Sequence, residues 1–209
     1  MKRRIPIVAL ALLLAAPLLA QVPKGWMYRV DRSTTAADPD APGPVKLIPA
    51  GSGFRAVNPQ AAIYWKPADT TAGNYSVKAT FTLIQNTGHI EYYGLLFGGS
   101  DLAGAGQNYL YFIIAPNGTW LIKKRTGDST ESLSAKTPSS AVKKPDAGGK
   151  STNTLEVRVG TGNIQFLVNG TLVDTLPQTG LAGKTGGVYG FRINHHLIVQ
   201  VDGFGISKP

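Results

Sequence analysis

The sequence predicts an all-β protein, a sandwich or barrel built from short strands. Three observations predict it. After residue 20 no 11-residue window carries a helical stripe of apolar residues, while period-two segments recur to the C-terminus. Glycine and proline number 25 and 14 among 209 residues, a density of turn formers that leaves little room for long helices. Strong turn signals, Pro116-Asn117-Gly118 and Asn169-Gly170 among them, separate the apolar segments.

Met27–Val30, Lys46–Pro49, Gly53–Val57 and Ala61–Trp65 are the first short strands. From Asn74 to Gln85, Tyr75, Val77, Ala79, Phe81 and Leu83 alternate with Ser76, Lys78, Thr80 and Thr82, so one face is buried and the other wet. Tyr93–Phe97 and Tyr109–Ala115 are apolar on both faces, as central strands of a sandwich would be, and Pro116-Asn117-Gly118 turns the second into Thr119–Arg125. Leu155, Val157 and Val159 alternate with Glu156 and Arg158; Gly160–Asn163 then turns the chain into Ile164–Val168. Asn169-Gly170 leads into Thr171–Leu176, and Gly187–Ile193 and Leu197–Ile206 form a last pair around Asn194-His195-His196. Ser33–Pro44 and Pro138–Ser151 read as loops. No internal repeat or linker marks a second domain, so residues 21–209 are expected to form one.

Met1-Lys-Arg-Arg followed by the apolar run Ile5–Ala20 has the form of a cleavable signal peptide, residues 1–20. At 16 residues with two prolines, the run is short for a bilayer span. The expected location is secreted or periplasmic, with no stable membrane insertion after cleavage. The chain has no cysteine, which excludes disulfides, thiolate metal sites and cysteine catalysis. Formal charge is +9, and +6 once Lys2, Arg3 and Arg4 are removed. Most of that excess lies in Lys123–Lys150, but Gly127–Lys150 lacks the aromatics that accompany nucleic-acid binding, so no nucleic-acid partner is expected.

Three blocks then resemble a known superfamily: Tyr93-Gly-Leu-Leu-Phe97 with Asp101 and Asn108–Trp120; Asn153–Val159 with Ile164–Gly170; and Gly190-Phe-Arg192 with Val201-Asp-Gly-Phe204. In this order they are similar to the concanavalin A-like lectin/glucanase superfamily, and more closely to bacterial exported domains related to laminin-G-like modules and 3-keto-disaccharide hydrolases. The resemblance covers roughly Tyr75 to Ile206. It implies a jelly roll of two curved antiparallel sheets, on which sugar binders, hydrolases, lyases and adhesion modules are all found.

The chemistry is less marked. Glucanase-type catalysis asks for carboxylates two apart on a strand, and only Asp38 and Asp40 have that spacing, in a proline-rich loop. If the segment before Tyr93 is extended, His89, Glu91 and Tyr93 share a face, making His89 and Glu91 the catalytic candidates of an enzyme reading. The adjacent His195 and His196 read as turn residues. No cofactor is expected; calcium is the one cation considered, with Asp101 and Asp202 as weak ligands. Gly180–Thr185 ends like a phosphate loop but precedes a strand, and no nucleophile elbow exists.

Aromatic residues remain. Tyr109 and Tyr111 share a face opposite the greasier Leu110, Phe112 and Ile114, which makes the tyrosines the better occupants of an open face. The expectation is an exported, monomeric or weakly associating, non-catalytic carbohydrate-binding sandwich, with Tyr109, Tyr111, Trp120 and Arg192 holding glycan on a concave sheet. The alternatives are a glycosidase-like hydrolase using His89 and Glu91, or an envelope structural or protein-adhesion module. A binding site requires exposed rings, an enzyme requires clustered ionisable groups in one groove, and an adhesion module requires a flat apolar patch.

Overall fold

A computed structural model describes residues 22–86 and 88–209; the expected signal peptide lies outside the described residues. The strands are β1 (Met27–Asp31), β2 (Lys46–Ala50), β3 (Gly53–Asn58), β4 (Ala61–Thr71), β5 (Tyr75–Asn86), β6 (Tyr93–Ser100), β7 (Asn108–Ile114) and β8 (Thr119–Thr126). They continue as β9 (Ser129–Ser132), β10 (Thr137–Pro138), β11 (Ser151–Val159), β12 (Asn163–Val168), β13 (Thr171–Pro177), β14 (Gly187–Ile193) and β15 (Leu197–Ser207). A single 3-10 turn, Gly180–Ala182, is the one helical element among the described residues, and no described helix is long and apolar enough to cross a membrane.

The strands form two antiparallel sheets. Sheet A runs β1-β4-β14-β6-β7-β8-β10, with β9 also on β8; sheet B runs β13-β12-β11-β5-β15-β3-β2. Of the sandwich and barrel that the alternation left open it is the sandwich, with the jelly-roll architecture the resemblance implied. The alternation in β5 holds: Tyr75, Val77, Ala79, Phe81 and Leu83 are buried against sheet A. Its other face is a polar ladder, with Thr80 on Thr154 at 2.8 Å, Thr82 on Thr152 at 2.9 Å, and Ser76 donating to Glu156 at 2.7 Å. Such cross-strand hydroxyl pairs stabilise a face that water can reach.

β6 and β7 are buried on both faces, as their unbroken apolar runs required. Tyr93, Leu95, Phe97, Leu110, Phe112 and Ile114 enter the core between the sheets. Leu96, Tyr109, Tyr111 and Ile113 belong to a second apolar cluster with Ile63, Trp65, Tyr92, Leu102 and Leu121 on the outer face of sheet A. Sheet A thus carries a second apolar layer on its outer face, whereas the outer face of β5 in sheet B is polar.

Hairpin geometry follows local chemistry. Asn169 and Gly170 both adopt positive φ, +52° and +82°, as the tight hairpin turn requires. Asn169 does more than turn the chain. Its Nδ2 donates to the Ala141 carbonyl and to Asn153 Oδ1, and its Oδ1 accepts from the Thr154 amide, each at 2.8 Å, so it pins the Pro138–Ser151 loop to sheet B. Two short strands, β9 and β10, lie between Thr119–Arg125 and the start of the Pro138–Ser151 loop, where the sequence assigns none; every residue of β9 is exposed, so no periodicity announced it.

Candidate functional site

The outer face of sheet A carries a groove of about 780 Å³. Strand register decides its floor. Arg125 lies opposite Tyr109, Lys123 opposite Tyr111 and Leu121 opposite Ile113, so alternate residues of β8 and β7 share this face. Arg192 of β14 lies opposite Ile63, as does Arg29 of β1, so the strands on both sides of β4 bring an arginine to the same surface. Residues of the 32–40 segment and Ile90–Tyr92 supply the walls, with Asp128, Thr130 and Lys136 at the far rim.

Asp31 is the centre of the basic end. Its carboxylate accepts a hydrogen bond from Arg192 Nη1 and lies 3.5 Å from Arg125 and 3.8 Å from Arg29. The side chains of Asp31 and Arg192 are only 9% and 11% exposed, so this pairing is largely shielded from water. Arg192 also donates to the Tyr109 hydroxyl at 3.2 Å and to Asn194 Oδ1 at 3.1 Å, and its guanidinium sits 5.5 Å from the Tyr111 ring centre. Burial opposes the charge of Arg192; the Tyr109, Asp31 and Tyr111 oxygens outweigh it and hold the guanidinium protonated. Burial pushes the Tyr109 phenol up to about 12, the neighbouring Arg192 notwithstanding, so it is a neutral hydroxyl in the physiological range.

The chain of hydrogen bonds continues to an acidic end. Asn194 Nδ2 donates to Glu91 Oε2 at 3.0 Å, and Glu91 Oε1 meets His195 Nε2 at 3.0 Å. His195 Nδ1 meets Asp40 at 3.0 Å, while Asp38 lies 3.2 Å from Nε2. Burial disfavours the imidazolium, but Asp40, Glu91 and Asp38 outweigh it, so the ring titrates above its ordinary range. The chain's three histidines meet here: His196 stacks on His89 at 5.2 Å and contacts His195 at 4.6 Å between ring centres. Asp38, His195 and His196 place ligand-type atoms within 4.8 Å of one another, the arrangement among the described residues that comes nearest to a metal site. Both His195 nitrogens face carboxylates and His196 Nε2 faces the Pro39 carbonyl, which is the pattern of a charged clamp on the 31–44 loop.

Several sequence expectations change. Tyr109, Tyr111 and Arg192 do share the outer face, but the tyrosine rings are 0% and 4% exposed and form its floor, not a stacking platform. Trp120 lies on the opposite face, in the core between the sheets and edge-on to Phe112. The reason is register: the Asn117-Gly118 hairpin pairs Trp120 with inward-facing Ile114. His89 and Glu91 do not pair. The chain bends at Gly88 (φ +91°) and is not a strand before Tyr93, which points into the core while Glu91 turns to His195 and exposed His89 to Asp38, 3.4 Å away.

Asp101 lies in the loop after β6 and Asp202 in β15 of the other sheet, and among the described residues they share no hydrogen-bond partner. Asp101 closes its own loop: its carboxylate accepts the Gly106 amide at 3.0 Å and fills the space a Cβ on Gly104 would need. Asp202 accepts from Gln200 at 3.2 Å. Sequence reasoning missed Asp31, Glu91's true partner His195, and Asp40. Their contacts span 161, 104 and 155 positions, and no local pattern carries such information. A second hollow, about 320 Å³ beside Pro42–Pro44, brings only Lys46 and His196 as ionisable groups.

No protein-family model and no curated protein matches the sequence. Solved structures do match the fold, a two-sheet jelly-roll sandwich. The carbohydrate binding module CBM66 from Bacillus subtilis is 10% identical with a TM-score of 0.61, over 88% of this chain and 96% of that one. A protein of unknown function with a galectin-like fold, also from Bacillus subtilis, is 14% identical with a TM-score of 0.59, over 88% and 90%. A Bacteroides ovatus mixed-linkage glucan GH16, solved with a G4G4G3G product, is 9% identical with a TM-score of 0.59, over 90% and 97%.

Proposed function

We propose that this chain is an exported carbohydrate-binding β-sandwich that holds saccharide in the groove on the outer face of sheet A. The observation that carries the reading is the groove itself, which lines one open surface with guanidinium, ammonium, carboxylate and amide groups over a buried tyrosine floor. Sugar hydroxyls both donate and accept, so a bipolar polar groove suits them, and charge-assisted hydrogen bonds are the strong ones. The folds of the solved structures named above support the same reading. Recognition here is by hydrogen bonding and charge, in place of the ring stacking the sequence suggested.

A hydrolase is the second reading, because ionisable groups do cluster in one groove. Against it, the buried carboxylates are already engaged: Glu91 by His195 and Asn194, and Asp40 by His195 and the Ser33 amide at 2.9 Å. A carboxylate with both oxygens occupied is positioned to hold a loop, not to attack a glycosidic bond. The adhesion reading asks for a flat apolar patch, and the exposed large apolar side chains Met27, Ile48, Ile90, Leu172 and Leu181 stand on five separate segments.

The test is a glycan array probed with the folded protein, with calcium and again with chelator. Selective binding that is lost in Lys123→Glu, with the thermal midpoint kept, supports the groove. A clean negative, or binding indifferent to Lys123, overturns it; product release from a bound glycan moves the assignment to the hydrolase.

A further inference from the structure

We propose that the saccharide taken by this groove is acidic, with its carboxylate or sulfate seated against Lys123 between Arg125, Arg192 and Lys136. The inference rests on the carbohydrate-binding reading and names the ligand class. Its basis is a local imbalance of charge. Three guanidiniums, Arg29, Arg125 and Arg192, converge on the single carboxylate of Asp31. Lys123 stands on the same face one alternation from Arg125, and Lys136 stands over the Tyr92 ring, 5.5 Å from its centre. Neither lysine has a carboxylate within 4.0 Å among the described residues, and Asp128 at the rim is the one other acid lining this end. These five cations, with Arg32 also lining the groove beside Asp31, therefore face two carboxylates at the basic end.

The placement of Lys123 is what demands an anion. Its ammonium is half-buried, and burial together with Arg192, Lys136 and Arg125 lowers its affinity for the proton. A negative group there would meet a preformed set of donors that need no rearrangement, the condition under which charge-assisted contacts give specificity. The opposite end offers Asp38, Asp40 and Glu91, oxygen acceptors suited to sugar hydroxyls. An acidic sugar is thus oriented by the groove: negative group toward Lys123, hydroxyls toward the 31–44 loop. A neutral sugar would leave the basic end unmatched.

The experiment is titration calorimetry of the folded protein with oligogalacturonate, oligomannuronate and oligoglucuronate, each beside its carboxyl-reduced neutral counterpart, and with a sulfated oligosaccharide of equal length. We expect one acidic oligosaccharide to bind at least tenfold more tightly than its neutral counterpart. The advantage should shrink between 50 and 500 mM salt as screening rises. Lys123→Met should reduce it about tenfold and Lys123→Glu should abolish it, with thermal midpoints no lower than that of the parent, since neither variant removes a partnered group. Preference for the sulfated probe supports an acidic ligand and assigns the anion to sulfate. Equal affinity for acid and neutral forms, or an advantage that survives Lys123→Glu, overturns the inference and leaves carbohydrate binding standing. If no saccharide binds, neutral or acidic, the carbohydrate reading falls with it.

Discussion

Asp31 at the end of β1 and Arg192 on β14, 161 positions apart, are hydrogen-bonded across the floor of the groove with neither side chain more than 11% exposed. A charge removed from water this far is tolerable only while its partner remains. Asp31→Asn leaves Arg29, Arg125 and Arg192 facing one another without a counter-charge. The expected loss is about 3 kcal/mol of unfolding free energy, read from urea denaturation. The double variant Asp31→Asn with Arg192→Met should be less destabilised than the sum of the singles; simple additivity would refute the coupling.

His195 ties the 31–44 loop to the sheet through Asp40, Glu91 and Asp38, and its ring titrates above its ordinary range. A group whose folded pKa is raised contributes stability that is fully present below its unfolded value and is lost as pH rises through the folded one. Asp38, Asp40 and Glu91 face the ring, and His196 and His89 lie beyond it. Unfolding free energy should therefore fall as pH rises from about 6.5 upward, relative to His195→Gln. Parallel curves for the two proteins across pH 5–9 would show that the ring is not charged in the fold.

Lys124 points away from the groove, pairs across from inward-facing Leu110, and is 6% exposed with no acidic partner within 4.0 Å among the described residues. Burial, and then Lys184, lowers its affinity for the proton, so its charge opposes folding at neutral pH. Lys124→Met keeps the stem and removes the charge. The thermal midpoint should rise by about 2–4 °C, corresponding to about 1 kcal/mol. A fall would mean that the ammonium holds a partner in solution.

Asn169 combines a positive φ with three hydrogen bonds. Asn169→Ala loses both and is expected to cost about 2–4 kcal/mol, whereas Asn169→Gly relieves the backbone and loses only the hydrogen bonds. The order of chemical-denaturation midpoints should be Asn, Gly, Ala. Equal midpoints for Gly and Ala would remove the backbone contribution from the account.

Local rules made much of the fold legible. The alternation in β5 places alternate residues on opposite faces wherever the chain is extended, and Asn169-Gly170 adopts positive φ whatever surrounds it. Trp120 was legible too: counting across the Asn117-Gly118 hairpin sets it opposite Ile114, among the apolar set. β9 was not, because Ser129–Ser132 is polar and exposed on both faces and owes its strand state to pairing with β8.

By itself, then, the sequence determined the all-β class, the turns and the alternating faces, because these follow from steric and hydrophobic preferences of neighbouring residues. It also put Tyr109 and Tyr111 on one face of their strand, while the grouping of Trp120 with them and Arg192 failed at Trp120. Only the tertiary structure decided that the rings are buried and that charged side chains line the groove. Arg29, Asp31, Arg125 and Arg192 come from β1, β8 and β14, and His195 finds Asp38, Asp40 and Glu91 across more than a hundred residues. Sheet order brings them together, and charges in a shielded groove interact strongly only once that order exists.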